Sequence, residues 1–504
     1  MPRRFEAADF GEWLPDRPDL MNPGANVANN AAFIAGVYHS LPAPTPTGLK
    51  ISGVVKAVWA SGTSRDMRGI AMTPKGFWRI TNSGAYSISS QTMSAEAWQY
   101  TVYGPYLIVC DESEDTYRYD LDGAASVVSK IDEAPRGAFI ATIRQFVMLG
   151  NVVDEDGVRA QRVRWCALDN PLSWKPDPET QADFQDLAGT GGRVTGLVGG
   201  EYGVIFQENS IWRATYIGAP LVFQFDEVEK GRGCLHGNSI VDIGNMPDGG
   251  RGIFYLALDG FYRFTGQTSI PLGVDKVNIT IMNELDLTRI KEISGAANRQ
   301  AHLVYWSVPT TDGSFVLYIY NYLTGNWSRA PGIKARWLGQ VGDLTLLGEE
   351  GFLSGLSNNL VNGIIQTIDP DAPTTPTIPG LPNRTSEVPF TGIAMFDTDG
   401  NLCRFRGIPL DGELETGEVM FGDGALFTSQ VRVLVAGSFN CYAAIGYRVR
   451  QSDPLYWTPY VAPALDGAVK HRVHARFVRC RVKLIGHWNE ARGILYDVSQ
   501  RGRR

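Results

Sequence analysis

Apolar and aromatic residues in this chain fall in short runs separated by clusters of Asp, Gly and Asn, with no sustained helical spacing. Such runs read as strands joined by tight turns. Between residues 51 and 368 they come in pairs: 70–80 with 82–88, 106–110 with 116–119, 146–149 with 162–165, 204–206 with 210–216, 253–256 with 261–264, and 302–306 with 315–320. Residues 344–347 and 352–356 form a seventh pair or a closing piece. The pairs recur about every 35–60 residues, which brackets the ~40–50-residue period of propeller blades. Four-stranded units repeated around an axis place glycine in turns and aromatic rings between blades. The expectation for 51–368 is a β-propeller of about six blades, with a sandwich or a solenoid as the alternative.

Residues 1–50 read as an extended N-terminal arm. Pro15, Pro18 and Pro23 exclude a regular helix there, and Pro42, Pro44 and Pro46 close the segment. Residues 369–389 carry a proline at every third position from Pro370 to Pro382, the composition of a semi-rigid linker. Residues 390–504 return to strand-like runs at 431–435, 444–449 and 471–485, which predicts a separate C-terminal β-sandwich. Within the last run, Val473, Ala475 and Phe477 are apolar at odd positions, and Val478, Cys480, Val482 and Leu484 at even ones. That change of phase predicts a bulge at 477–478. Beyond it Arg479, Arg481 and Lys483 share the opposite face.

Composition fits this all-β reading. The 56 glycines in 504 residues are about 11%, against a usual ~7%, and aromatic residues make up another 11%. With 44% hydrophobic and 20% charged residues the chain is globular and long enough for a large core. Its six cysteines are scattered without a CxxC pair, which predicts neither structural zinc nor a disulfide framework and fits assembly in a reducing compartment. No apolar leader opens the sequence, and no uncharged apolar run is long enough to span a membrane.

The net charge is −7, from 46 Lys and Arg against 53 Asp and Glu, which argues against a surface that grips nucleic acid throughout. The charge is unevenly placed. Residues 470–504 carry ten cations against Glu490 and Asp497, so this segment is +8 and the rest of the chain −15. The basic face reads either as a solvated strand surface or as a docking surface for an acidic partner or nucleic acid. The candidate docking residues are Arg472, Arg476, Arg479, Arg481, Lys483, Arg501, Arg503 and Arg504.

Other motifs favour structure over chemistry. The glycine-rich stretch 189–196 lacks the Gly-Lys-Ser/Thr ending of a phosphate loop and reads as a loop between strands. His471 and His474 stand three apart, which on a strand sends them to opposite faces. The Asp-Gly stretches 154–157 and 397–401 lack the distal glutamate of a calcium loop and read as hairpin turns. Trp165, Trp174, Trp212, Trp306, Trp327 and Trp337 could stack sugars, but at strand positions they read as packing between blades. No catalytic constellation stands out, so the expectation is a protein without enzymatic activity, cofactor or metal.

Several segments, taken in order, resemble the tail nozzle proteins of short-tailed bacteriophages, also called tail tubular protein B or the tail hub. The strongest run covers 201–218, 223–234, 238–241, 254–264 and 270–273. Residues 13–18, 455–459, 476–481 and 488–493 are similar to the same group. The resemblance implies a β-propeller with a platform domain, assembled as a homo-hexameric ring below an adaptor and portal. It implies a virion protein, assembled in the host cytoplasm, whose channel passes double-stranded DNA without sequence-specific binding and which also meets tail fibres or a tail needle. Acidic lumen loops would let DNA slide, and the basic C-terminal face would then meet the adaptor ring. The alternative is a propeller-type carbohydrate-binding tail or surface protein, a lectin or glycan hydrolase.

Overall fold

The computed structural model describes residues 4–63, 66–81, 84–89, 93–122, 127–340, 393–421 and 424–499. The fold is all-β: a β-propeller with β-sandwich elements at the C-terminus. Six four-stranded sheets stand apart from one another. Five are consecutive antiparallel meanders, at 57–87, 99–130, 136–186, 194–230 and 241–271. The sixth is closed by both ends of the propeller region. Ala335–Gln340, Ile393–Asp397 and Asn401–Pro409 are joined by Pro42–Lys50 on the outer edge. A further four-stranded meander at 294–331 continues into the C-terminal sheet through Val27–Asn29, where Asn29 pairs with Arg329.

Burial explains why these strands read as apolar runs and not as strict alternation. Leu303–Pro309 and Phe315–Asn321 are buried at every position, and so are the first seven residues of Phe146–Asp154. Middle strands of a blade are covered on both faces by neighbouring blades, so both faces are apolar. Aromatic side chains fill the space between them, as expected. Trp306 stacks on Trp327 with centroids 5.9 Å apart, and Phe261 lies 4.2 Å from Trp306. Trp165 packs edge-on to Phe223, and Trp174 is fully buried.

The C-terminal element is one long ribbon bent double. Leu426–Arg448 and Phe477–Ser499, each 23 residues, pair from Phe427 with Ser499 to Arg448 with Phe477. At ~3.3 Å per residue such a strand would span about 75 Å if straight. Yet Leu426 pairs with Ala475 and Arg448 with Phe477, two residues further on. The ribbon therefore folds back on itself, and its two halves enclose one interior containing Val431, Ala443, Ile445, Val482, Leu484, Trp488 and Ile494. The bend falls where the register shifts at Ala436/Gly437 and Gly486 has φ +98°. Gly437 has φ +127°, and a Cβ there would lie 2.4 Å from the His487 carbonyl oxygen. The expected bulge at 477–478 is instead a corner: the chain leaves the Ala468–Ala475 strand at Arg476 and enters the long strand on the ribbon's other half.

The N-terminal segment is built into this framework. Arg4–Asp9 pairs with the last long strand, Arg4 opposite Val498. Asp16 accepts from the backbone N–H groups of Ile279 and Thr280 at the start of the short helix Asn278–Glu284. Residues 393–409, expected with the C-terminal domain, instead share a sheet with 335–340 and 42–50. The linker 369–389 and the strand pair 344–356 lie outside the described residues.

Candidate functional site

The basic C-terminal face is matched by acids from another strand. Gly412–Glu415 pairs with the last long strand so that Glu413 faces Lys483 and Glu415 faces Arg481. The Arg481 Nε donates to Glu415 Oε2 at 2.6 Å, and its guanidinium lies 4.5 Å from the Trp457 ring centre. Arg448 makes a fork to Glu418 at 2.7 and 2.6 Å. Arg479 is buried, with Asp19 against it, Glu415 at 3.5 Å and Glu418 at 3.9 Å. Lys483 is exposed above the Tyr460 ring. Tyr460 is held un-ionised up to about 12 by burial and by Glu413.

This corrects the expectation that Arg479 and Arg481 stand on an open basic surface. Counting charge along the chain misses Glu413 and Glu415, which strand pairing brings to the same face, and Asp19 and Glu418, which a turn and a loop bring there. Arg476 is half-buried over the Phe477 ring at 5.4 Å. Arg472 remains exposed and alternates with exposed Lys470 and His474 on Ala468–Ala475, while His471 points inward. That strand pairs on one side only among the described residues. Arg501, Arg503 and Arg504 lie outside the described residues.

A second site lies at one end of neighbouring propeller sheets. In a four-stranded meander, the start of the first strand and the turn between the second and third lie at the same end. Residues at that end, from the sheets at 99–130, 136–186 and 194–230 and from the entries to the next two, line a cavity of about 420 Å³. The short turn Gly237–Ser239 crosses here. Gln99 donates to the Asn238 side-chain oxygen at 2.5 Å, and Asn238 Nδ2 donates to the Lys291 carbonyl at 2.8 Å. The crossing is close: a Cβ on Gly237 would lie 2.7 Å from the Phe139 ring.

Charges around the cavity come in satisfied sets. Lys291 lies 2.9 Å from Glu96 and 3.7 Å from Glu112. Arg193 pairs with Glu208 at 3.0 Å. Asp111 accepts from the backbone N–H groups of Glu96, Ala97 and Ser113 and from the Ser113 hydroxyl. His236 is held neutral, its pKa pulled down to about 3 by burial and then by Lys291 and Arg193. Its Nδ1 accepts the Asn238 backbone N–H at 3.2 Å, which leaves the ring proton on Nε2.

The remaining motifs are structural. Asp397 accepts from the backbone N–H groups of Asp399 and Asn401 in a hairpin turn. The 154–157 turn ties back to its own sheet, with Arg162 bonded to Asp154, Asp156 and Asp186 at 3.1, 2.6 and 2.7 Å. Residues 187–193 form the loop that precedes Val194–Val198. No group of three metal-ligating side chains occurs among the described residues, and no helix there is long and apolar enough to cross a membrane.

No protein-family model matches the chain, and no curated protein matches it. Among solved structures it is similar to the extracellular domain of a hybrid two-component system from B. thetaiotaomicron, at 9% identity and a TM-score of 0.41. That match covers 79% of this chain and 43% of the other.

Proposed function

We propose that the chain is a structural subunit of the tail nozzle of a short-tailed phage, a ring that docks on an adaptor and passes double-stranded DNA. The observation that carries this reading is a convergence. The segments that resemble nozzle proteins are far apart in sequence, yet residues in or beside three of them link the arm to the propeller and to the bent ribbon. Within 13–18 Asp16 caps the 278–284 helix, and on either side of that segment Glu12 lies 2.6 Å from Lys276 and Asp19 lies against Arg479 of 476–481. Residues 488–493 join through Arg492, whose carbonyl accepts from Phe10 at 2.9 Å. Arm, propeller and bent ribbon are thus tied together, as a ring subunit under load requires. The acid excess outside 470–504 suits a channel from which DNA must slide free.

The alternative, a carbohydrate-binding tail or surface protein, is favoured by the polar cavity alone. Native mass measurement and negative-stain imaging of the purified chain, with and without adaptor rings, separate the two. A ring of six that docks on the adaptor is the expected result. A chain that stays monomeric and joins no tail protein overturns the proposal.

A further inference from the structure

The cavity at this end of the propeller sheets contains hydrogen-bonding groups that the described residues leave unused. Asn151 is 6% exposed, and its amide makes no hydrogen bond among the described residues. It sits where pairing with Gly157–Trp165 slips between Gly150 and Val152, in a left-handed conformation at φ +54°. Asparagine tolerates that conformation better than most residues, and an irregularity of this kind re-aims a side chain. The Asn151 amide faces the cavity, where a ligand can pair it in place of water. The His236 Nε2–H also has no hydrogen-bond partner among the described residues, and the Thr195 hydroxyl makes one long bond, to the Phe206 carbonyl at 3.4 Å.

The chemistry of these groups selects the ligand class. An ion needs an unsatisfied opposite charge, and here Lys291 and Arg193 already pair with carboxylates while Asp111 is filled by four hydrogen bonds. What remains is neutral: an amide that both donates and accepts, an imidazole N–H and hydroxyl oxygens. Phe139, Ala138 and Val194 supply an apolar wall beside them. A volume of about 420 Å³ lies within the ~300–1,000 Å³ range of small-molecule sites. We infer that this cavity binds a neutral saccharide, with Asn151 and the His236 Nε2–H bonded to its hydroxyls and its C–H face on Phe139. The inference does not rest on the nozzle reading: a ring that binds no sugar, or a sugar-binding monomer, tells the two apart.

Saturation-transfer NMR on the full chain with D-glucose, D-galactose, N-acetyl-D-glucosamine and L-rhamnose tests it, with phosphate line-broadening as the ion control. At least one sugar is expected to receive saturation, and phosphate none. Asn151→Gly removes the amide while suiting the left-handed backbone, and should weaken that sugar about tenfold with an unchanged melting temperature. Asn151→Asp keeps the side chain's size, removes its donors, and should also weaken binding. Silence from all four sugars overturns the inference. So does binding of phosphate alone, or sugar binding that both Asn151 variants leave intact.

Discussion

Arg481 and Glu415 face each other across paired strands, the arginine Nε donating to the carboxylate at 2.6 Å. Glu415 is 3% exposed and also lies 3.5 Å from Arg479. Breaking a buried pair by removing one partner leaves the other charge uncompensated. Here removal takes the bonded carboxylate from Arg481 and one of three neighbouring acids from Arg479. Glu415→Ala should therefore lower stability by about 3 kcal/mol, measured by urea unfolding. A loss below about 1 kcal/mol, the range of solvent-screened pairs, would show that water reaches the carboxylate. By the same reasoning, Arg479→Glu with Arg481→Glu crowds carboxylates together and should prevent stable folding. It is therefore a poor probe of docking.

That pairing marks the boundary of what the sequence alone makes legible. The all-β class and the strand pairs are visible because each depends on local apolar runs and Asp-Gly turns. The hairpins at 253–264 and 393–409 show this: a turn residue and its two strands lie within a few positions of one another. The acids that neutralise Arg479 and Arg481 come from residues 19 and 413–418, and only the tertiary fold, strand register among it, reveals them. The cavity is hidden for the same reason. Asn151 and His236 belong to different parts of the propeller, and neither lies in a motif. The closing strand Pro42–Lys50 reads as an arm because its prolines argue against an interior strand. At a sheet edge they are tolerated.

The ribbon's bend depends on Gly437. Its φ of +127° disfavours any side chain, and a Cβ would meet the His487 carbonyl at 2.4 Å and the Trp488 Cα at 2.9 Å. Both obstacles are backbone, so rotamer changes bring no relief. Gly437→Val should cost at least about 2 kcal/mol and loosen the interior around Trp488. Near-ultraviolet circular dichroism and thermal melting measure this. An unchanged tryptophan signal and melting temperature would mean that the bend is set elsewhere.

His236 gives the fold a pH dependence of defined sign. Its folded pKa, about 3, lies below the unfolded value near 6.5. Between these values the unfolded chain binds the extra proton, so stability falls as pH is lowered through that window. The slope from this one group is at most about 1.4 kcal/mol per pH unit. Arg193 and Lys291 set the shift together with burial, while Glu96 and Glu112 moderate Lys291. In His236→Gln the stability difference between pH 7 and pH 5 should shrink relative to the parent chain, as read from urea midpoints. Identical slopes would place the acid sensitivity in the carboxylates.

With Arg479 and Arg481 neutralised, Lys470 and Arg472 are exposed cations of the C-terminal sheets that can test docking. Both lie on Ala468–Ala475, with His474 next on the same face; Asp466 in the adjoining turn lies 3.9 Å from Arg432. Exposed charges at an interface act mainly on encounter, and their effect fades with salt over a Debye length of roughly 10 Å. Lys470→Glu with Arg472→Glu should therefore leave the melting temperature within about 1 °C, since exposed substitutions rarely exceed ~0.5 kcal/mol. If this strand meets the adaptor ring, the same variant should slow docking at least about tenfold at low salt, and the difference should shrink as salt is raised. Co-sedimentation of the chain with adaptor rings across a salt series reads both. Unaltered docking at low salt would move the interface away from this strand.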